Sequence, residues 1–270
     1  MQMNKKSLTY NYIEAFVINV RSKGRYIFSL EEVKGEFDLS DQAIKKSLYR
    51  LKAKNRIARI GKGFYAIITP EYASFGMLPP HLFVDDMMKQ LNKKYYVGVL
   101  SAAALYGAGH QQPMEYFVIT QKPALRDIKI EKLKINFLTK KEWSLDDVVE
   151  KKTDAGYLLV SSPELTALDL LYYPQFGLNR VSTILSELVE EMKVPALTKT
   201  ARTYPQTAAL QRLGYLLDRE VQEEKLSDVL FKVLQTKTYY PVALASDKGK
   251  KGKTDSKWKV IVNTVIESDL

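Results

Sequence analysis

Residues 40–68 read SDQAIKKSLYRLKAKNRIARIGKGFYAII and decide the fold of the N-terminal part of the chain. Up to residue 62 this stretch holds eight basic residues and a single acid, Asp41, so most of the chain's formal net charge of +10 lies here. Such a patch suits a polyanion, because lysines and arginines that neutralise phosphates release condensed counterions. A solvated helix face is the alternative interpretation.

The first half of the stretch predicts a helix over about residues 41–54. Ser40 can cap its N-terminus, and the apolar residues that follow recur at helical spacing. Two helices are predicted before it, over residues 8–20 and 30–37, with an apolar link at residues 26–28 between them. A short helix, a tight turn and a longer basic helix are the order of a helix-turn-helix.

The third helix separates its residues by face. Ala43, Ile44, Ser47, Leu48 and Leu51 follow the helical period and should pack inward. In a helix-turn-helix the start of the second helix enters the major groove, where Gln can pair with adenine and Lys with guanine. The predicted base-facing residues are Gln42, Lys45, Lys46 and Tyr49, and the predicted phosphate contacts on the same helix are Arg50, Lys52 and Lys54.

The second half of the stretch predicts a β-hairpin. Two β-rich runs, residues 57–60 and 64–68, flank a turn that contains two glycines. A hairpin in this position is the wing of a winged helix, and its candidates for phosphate contact are Arg59 and Lys62. A hairpin on a basic surface, without a role in DNA binding, is the alternative.

Composition narrows the class of protein further. With 46% hydrophobic and 27% charged residues the chain should be globular. It has no cysteine and only two histidines, which excludes disulfides and thiolate sites and disfavours most zinc sites. The first residues lack the apolar stretch of a signal peptide, and no segment reads as a membrane span. We expect a cytoplasmic protein with no membrane partner, no metal and no cofactor.

The chain is long enough for two domains. Prolines at 79 and 80 disfavour a continuing helix, so we predict a winged helix-turn-helix domain at 1–75 and a larger mixed domain at 76–270, together an α+β fold. In the larger part, helices are predicted at 81–92, 97–107, 163–172, 178–192, 206–218 and 223–235, and strands at 115–120, 128–138, 157–160, 240–244 and 258–263.

Several motifs in the larger part resemble those of AbiE-type antitoxin regulators. They are YYVGVLSAAALYG at 95–107, followed by Gln111, Pro113 and the strand at 116–120, then SPELTALDLL at 162–171, RLGYLL at 212–217 and WKVIVN at 258–263. Their order and spacing match the family, and with the N-terminal module the resemblance covers nearly the whole chain. Tyr106 departs from the pattern, because the family more often has His before the glycine.

The resemblance implies a regulator and antitoxin encoded beside a nucleotidyltransferase-like toxin in a phage-defence, or abortive-infection, system. The N-terminal domain would repress the shared operon by binding operator repeats in double-stranded DNA, and the C-terminal domain would neutralise the toxin, directly or indirectly. Most of the motif residues have structural explanations. Ser162 can cap a helix, Gly107 can end one, and Gly214 can permit close packing.

A nucleic-acid-processing enzyme that uses the winged helix for docking is the alternative function. Its candidate groups are few, and the sequence contains no GxxxxGK[ST], GxSxG or HExxH motif. Solvated helix ends explain the paired aspartates better than a metal site does, so we expect no enzyme activity. The candidates are His81, Asp85, Asp86, His110, Asp146, Asp147, Glu164 and Asp169.

The segment at residues 247–259, DKGKKGKTDSKWK, is rich in lysine and glycine. Its composition predicts a mobile, solvated loop, either without a partner or with a second contact to nucleic acid. Trp258 is expected to anchor the following strand in the core. The lysines proposed for the second contact are Lys248, Lys250, Lys251 and Lys253.

Overall fold

The computed structural model describes residues 5–61, 63–109, 115–130 and 133–267, without the side chains of residues 5–11. The chain divides by packing into two compact units. Unit 1 comprises Met1–Tyr95, Pro123–Phe137 and Glu150–Leu158, and unit 2 comprises Tyr96–Lys122, Leu138–Val149 and Leu159–Leu270. The mixed α+β class, with a small N-terminal module and a larger C-terminal part, is confirmed. The boundary near residue 75 stays a prediction.

Unit 1 begins with six elements in the order that a winged helix-turn-helix requires. They are α1 (Lys5–Ser22), β1 (Ile27–Ser29), α2 (Leu30–Glu36), α3 (Asp41–Ala53), β2 (Ile57–Arg59) and β3 (Phe64–Ile67). The predicted Ser40 cap of α3 is present, and Ser29 caps α2. The Ser29 hydroxyl accepts from the backbone N–H of Glu32, whose carboxylate in turn accepts from the Ser29 N–H, and the Ser40 hydroxyl accepts from Ala43.

The three short strands of this module form a sheet in the order β1-β3-β2. Residues 26–28 therefore do more than link two helices: Ile27 pairs with Ala66 and Phe28 with Tyr65. The rings of Phe28 and Tyr65 stack at 5.5 Å. One apolar core, which includes Ile13, Val17, Phe28, Val33, Ile44, Leu48 and Leu51, holds the helices on the sheet.

The middle of the chain forms a six-stranded sheet. Its strands are β4 (Tyr95–Val97), β5 (Glu115–Thr120), β6 (Ile128–Ile130), β7 (Leu133–Thr139), β8 (Val148–Thr153) and β9 (Gly156–Ser161), in the order β6-β7-β5-β4-β9-β8. The single strand predicted at 128–138 is wrong, because β6 and β7 are two antiparallel strands that pair Ile128 with Ile135. A short helix, α4 (Val84–Gln90), precedes β4.

The described residues of unit 2 contain six α-helices. They are α5 (Val99–Leu105), α6 (Pro163–Tyr172), α7 (Leu178–Leu188), α8 (Val194–Thr203), α9 (Thr207–Arg219) and α10 (Glu224–Gln235). Five of them fall where helices were predicted, and α8 was missed. Its sequence, VPALTKTART, contains a proline, a valine and three threonines, which have low helix propensity, but Leu197 and Ala201 are fully buried in the unit 2 core, and this packing stabilises the helix.

The C-terminal residues add a small sheet to unit 2. Its strands β10 (Val242–Ala243), β11 (Lys253–Asp255) and β12 (Val260–Val262) lie in the order β10-β12-β11. The prediction of a mobile loop across 247–259 is thus wrong for its second half, where β11 pairs with β12. Trp258 is fully buried, as expected. Within the described ranges, no helix is long and apolar enough to cross a bilayer.

Candidate nucleic-acid interface

The outer face of α3 is a row of exposed polar and cationic side chains. Gln42, Lys45, Lys46 and Tyr49 are all exposed, whereas Ile44, Ser47, Leu48 and Leu51 are buried. The Tyr49 side chain is 72% exposed, so its ring and hydroxyl are accessible to a partner. The structure thus brings the four predicted base-facing residues together on one surface.

The predicted phosphate contacts continue this surface. Lys52 and Lys54 are exposed near the end of α3, and Arg50 is half-buried. Arg59 lies on β2, where it is exposed and its Nε donates to the carbonyl of Gly61 at 3.3 Å. Lys62 lies outside the described residues. A helix face and an adjacent hairpin flank therefore carry cations on the same module.

Ion pairs within unit 1 hold the short helices in position. Lys34 binds the carboxylate of Asp41 at 2.9 Å, and this hydrogen bond lowers the pKa of Asp41. Because the only acid in the basic stretch is paired with a lysine from outside it, the cations of α3 keep their excess charge. Arg25 links two more helices, since its guanidinium contacts Glu32 of α2 at 2.7 Å and Asp86 of α4 at 3.2 Å.

The second set of predicted cations lies in unit 2. Lys248, Lys250, Lys251 and Lys253 are all exposed. Lys248 donates to the hydroxyl of Thr264 at 2.7 Å, and Lys253 is the first residue of β11. Lys253 thus belongs to a strand at the edge of the C-terminal sheet, and the other three lysines lie in the segment that precedes it.

A buried polar cluster in unit 2 is the feature that sequence reasoning did not identify. Asp169 of α6 is fully buried, and its Oδ1 accepts from Lys140 Nζ at 2.5 Å and from the Tyr204 hydroxyl at 2.7 Å. Its Oδ2 accepts from the Tyr96 hydroxyl at 2.6 Å. Burial and the Asp169 carboxylate raise the pKa of both tyrosines well above the usual value, so both remain donors. Both carboxylate oxygens accept hydrogen bonds from buried side chains, so this cluster has a structural role within unit 2.

Other acidic residues considered for enzyme chemistry also have hydrogen-bond or ion-pair partners. Glu164 accepts from the backbone N–H of Lys193 at 2.8 Å, and Asp147 accepts from the Thr200 hydroxyl at 2.6 Å. Asp85 is bound by Lys89 and by the Tyr95 hydroxyl. Each of these groups is held by a neighbour in its own unit.

The two histidines differ in what the structure describes. His81 is half-buried, and burial lowers its pKa. His110 lies outside the described residues.

Two family models match the chain. The model described as "Transcriptional regulator, AbiEi antitoxin" matches residues 16–68, and the model described as "AbiEi antitoxin C-terminal domain" matches residues 96–219. The chain belongs to the AbiEi antitoxin family. Both descriptions name an antitoxin, and one also names a transcriptional regulator. The match at residues 16–68 contains the whole of α2, α3 and the hairpin.

The AbiEi fold also has a relative among solved structures. The crystal structure of the Rv2827c protein from Mycobacterium tuberculosis is similar over 93% of this chain and 91% of that chain, with a TM-score of 0.64 and 17% sequence identity. At this identity the likeness shows the fold alone. No curated protein matches the sequence.

The residues that carry the AbiEi resemblance have structural roles here. Ser162 caps α6 by accepting from the Leu165 N–H, and Gly107 follows α5 with a φ of +81°. A Cβ on Gly214 would overlap the ring of Trp258. Tyr106, the departure from the family pattern, donates to the carbonyl of Ser161 at 2.8 Å. The structural explanation of these motifs is confirmed.

Proposed function

We propose that this AbiEi antitoxin represses its own operon by binding operator repeats in double-stranded DNA with α3 and the β2–β3 hairpin. The observation that carries the proposal is the exposed row Gln42, Lys45, Lys46 and Tyr49 on α3, which would be the second helix of the proposed helix-turn-helix. In this motif the second helix enters the major groove, where amide and ammonium groups bind base edges. Arg50, Lys52, Lys54, Arg59 and Lys62 are the proposed backbone contacts.

Two α3 variants test direct base contact. We expect Lys46→Ala and Tyr49→Ala each to weaken binding to the promoter duplex by about 1–3 kcal/mol, with a smaller loss on random DNA. Fluorescence titration at fixed salt measures both affinities. Lys232→Ala, which removes an exposed lysine on α10, is the matched control and should change neither. Equal losses on promoter and random DNA would assign Lys46 and Tyr49 to the phosphate contacts.

The lysines at 248–253 are proposed as a second, sequence-independent contact. Replacing Lys248, Lys250, Lys251 and Lys253 with Ala should lower DNA affinity and flatten its dependence on salt, because fewer counterions are released. The preferred site should not change. Titrations across a range of salt concentrations measure the slope, and an unchanged slope would falsify this contact.

The antitoxin half of the proposal is that the C-terminal part neutralises a nucleotidyltransferase-like toxin. What supports it is the family match over residues 96–219. Co-expression of the full chain with the toxin from the neighbouring reading frame should restore growth. If the protein instead cleaves DNA or transfers nucleotides when a divalent metal is supplied, the enzyme alternative replaces this proposal.

A further inference from the structure

A cavity in unit 2 combines acidic and aromatic side chains. Its volume is about 280 Å³, and its lining comes from the connection between β7 and β8, from α6 and from the residues around the end of α8. Lys140, Asp147 and Tyr204 form buried parts of the lining, and Glu142 and Trp143 lie nearer the surface. Cavities for drug-sized ligands measure about 300–1,000 Å³, so this one suits a smaller group, of the size of an amino-acid side chain.

The carboxylate of Asp147 is the group in this cavity that lacks an ion-pair partner. Asp147 is 6% exposed, and its Oδ1 accepts from the Thr200 hydroxyl at 2.6 Å. Its Oδ2 has no hydrogen-bond or ion-pair partner in the part of the chain that the structure describes. One hydroxyl does not replace the hydration that a carboxylate loses on burial, and burial accordingly raises the pKa of Asp147. A cation in the cavity would supply the missing counter-charge.

The other charges of the lining favour a cation over an anion. The ammonium group of Lys140 already binds the Asp169 carboxylate at 2.5 Å, so its charge is neutralised within the core. Glu142, at the exposed rim, lies 3.9 Å from the exposed Lys141, and solvent screens that pair. An anion in the cavity would therefore meet the carboxylates of Asp147 and Glu142, whereas a cation would be attracted by both.

The aromatic rings of the lining suit an organic cation. Trp143 is half-buried, and its ring packs edge-to-face on Tyr96 at 5.0 Å, which holds it in one orientation. The Tyr204 ring already has the Lys140 Nζ at 4.4 Å from its centre. Indole faces attract ammonium and guanidinium groups, and guanidinium is the more weakly hydrated of the two, so it loses less on leaving water.

We infer that unit 2 binds an alkylguanidinium or alkylammonium group in this cavity, with the Asp147 carboxylate as counter-charge and the Trp143 ring as apolar wall. Such groups occur in free alkylguanidines and alkylamines and at the ends of arginine and lysine side chains. The cavity lies within residues 96–219, the part that matches the AbiEi antitoxin C-terminal domain. The inference does not rest on the proposed function, because its test needs neither DNA nor toxin.

Titration calorimetry of the full-length protein with n-butylguanidinium tests the inference. The comparison compound is n-butylurea, which is neutral and of nearly the same shape. We expect n-butylguanidinium to bind at least about tenfold more tightly than n-butylurea, because only the former pairs with the carboxylate. Equal binding of the two compounds, or no binding of n-butylguanidinium, overturns the inference.

Two adjacent aspartates give a matched pair of variants. Asp147→Asn keeps an acceptor for the Thr200 hydroxyl but removes the charge, and should weaken n-butylguanidinium binding about 10- to 100-fold. Asp146→Asn removes the same charge from an exposed side chain that pairs with Lys199, and should leave the affinity unchanged. Equal affinities of the wild type and Asp147→Asn overturn the inference. If Asp147→Asn does not fold, as judged by circular dichroism, the comparison with n-butylurea on the wild type still decides it.

The intrinsic fluorescence of the protein gives an independent measurement. The chain has two tryptophans, and Trp258 is fully buried, so a change in emission on adding n-butylguanidinium should come from Trp143. Trp143→Phe should abolish the change in emission while calorimetry still detects binding. An unchanged fluorescence signal in Trp143→Phe would place the ligand elsewhere and overturn the inference.

Growth rescue distinguishes the two sources of the group. When the toxin of the neighbouring reading frame is co-expressed, loss of rescue by Asp147→Asn but not by Asp146→Asn assigns the group to a side chain of the toxin. Rescue by both variants assigns it to a free small molecule. If the wild-type chain does not restore growth, the proposed antitoxin function is overturned, while the titration still decides the inference.

Discussion

Replacing Asp169 with alanine is expected to lower the free energy of unfolding of unit 2 by about 3–5 kcal/mol, because it leaves the ammonium group of Lys140 buried without a counter-charge. Lys140 is 3% exposed, so bulk solvent compensates little for the lost carboxylate. The hydroxyls of Tyr96 and Tyr204 lose their acceptor in the same substitution. Urea unfolding followed by circular dichroism measures the change.

The double variant Lys140→Met/Asp169→Leu is the control for this buried ion pair. It removes both charges and fills the site with apolar side chains, so its stability should exceed that of Asp169→Ala. A double-mutant cycle through the two single variants gives the coupling between the charges. A loss below about 1 kcal/mol for Asp169→Ala would show that the ion pair is not needed for stability.

Replacing Trp258 with alanine is expected to cost about 3–5 kcal/mol, the range for large aromatic side chains in a core. Trp258 is fully buried, its Nε1 donates to Asp218 at 2.8 Å, and its ring packs edge-to-face on Phe231 at 5.7 Å. The substitution removes the side chain that attaches the C-terminal sheet to α9 and α10. The loss should appear as a lower urea midpoint.

Gly214→Ala tests the same contact from the opposite side. A methyl group there overlaps the Trp258 ring, and overpacking typically costs about 1–3 kcal/mol. Gly35→Ala in α2 is a control for glycine loss without crowding, since nothing lies within 4 Å of a Cβ at that position. If Gly214→Ala leaves stability unchanged, the close approach of Trp258 to α9 does not limit packing.

The local elements of the N-terminal module were predictable because short-range chemistry determines them. Ser40 caps α3, the helical period separates its two faces, and the glycine-rich turn separates β2 from β3. β1 was not predicted, since three residues carry no alternation and the strand exists only through its pairing with β3. The exposure of Gln42, Lys45, Lys46 and Tyr49 followed from the same period.

Features that depend on distant residues were not predictable. The partners of Asp169 lie 29, 35 and 73 positions away along the chain, so no local pattern marks them. The only signal was an aspartate in an otherwise apolar stretch of α6.

Unit 1 consists of three separate segments of the chain, and this affects when it can fold during synthesis on the ribosome. Unit 1 includes Pro123–Phe137 and Glu150–Leu158, which lie well beyond the N-terminal module in the sequence. Because chains emerge from the N-terminus and folding units need their full complement of contacts, unit 1 cannot be completed until residue 158 has left the exit tunnel. Nascent chains arrested before that point should be cut within residues 1–95 by a protease at low concentration, whereas longer nascent chains should resist.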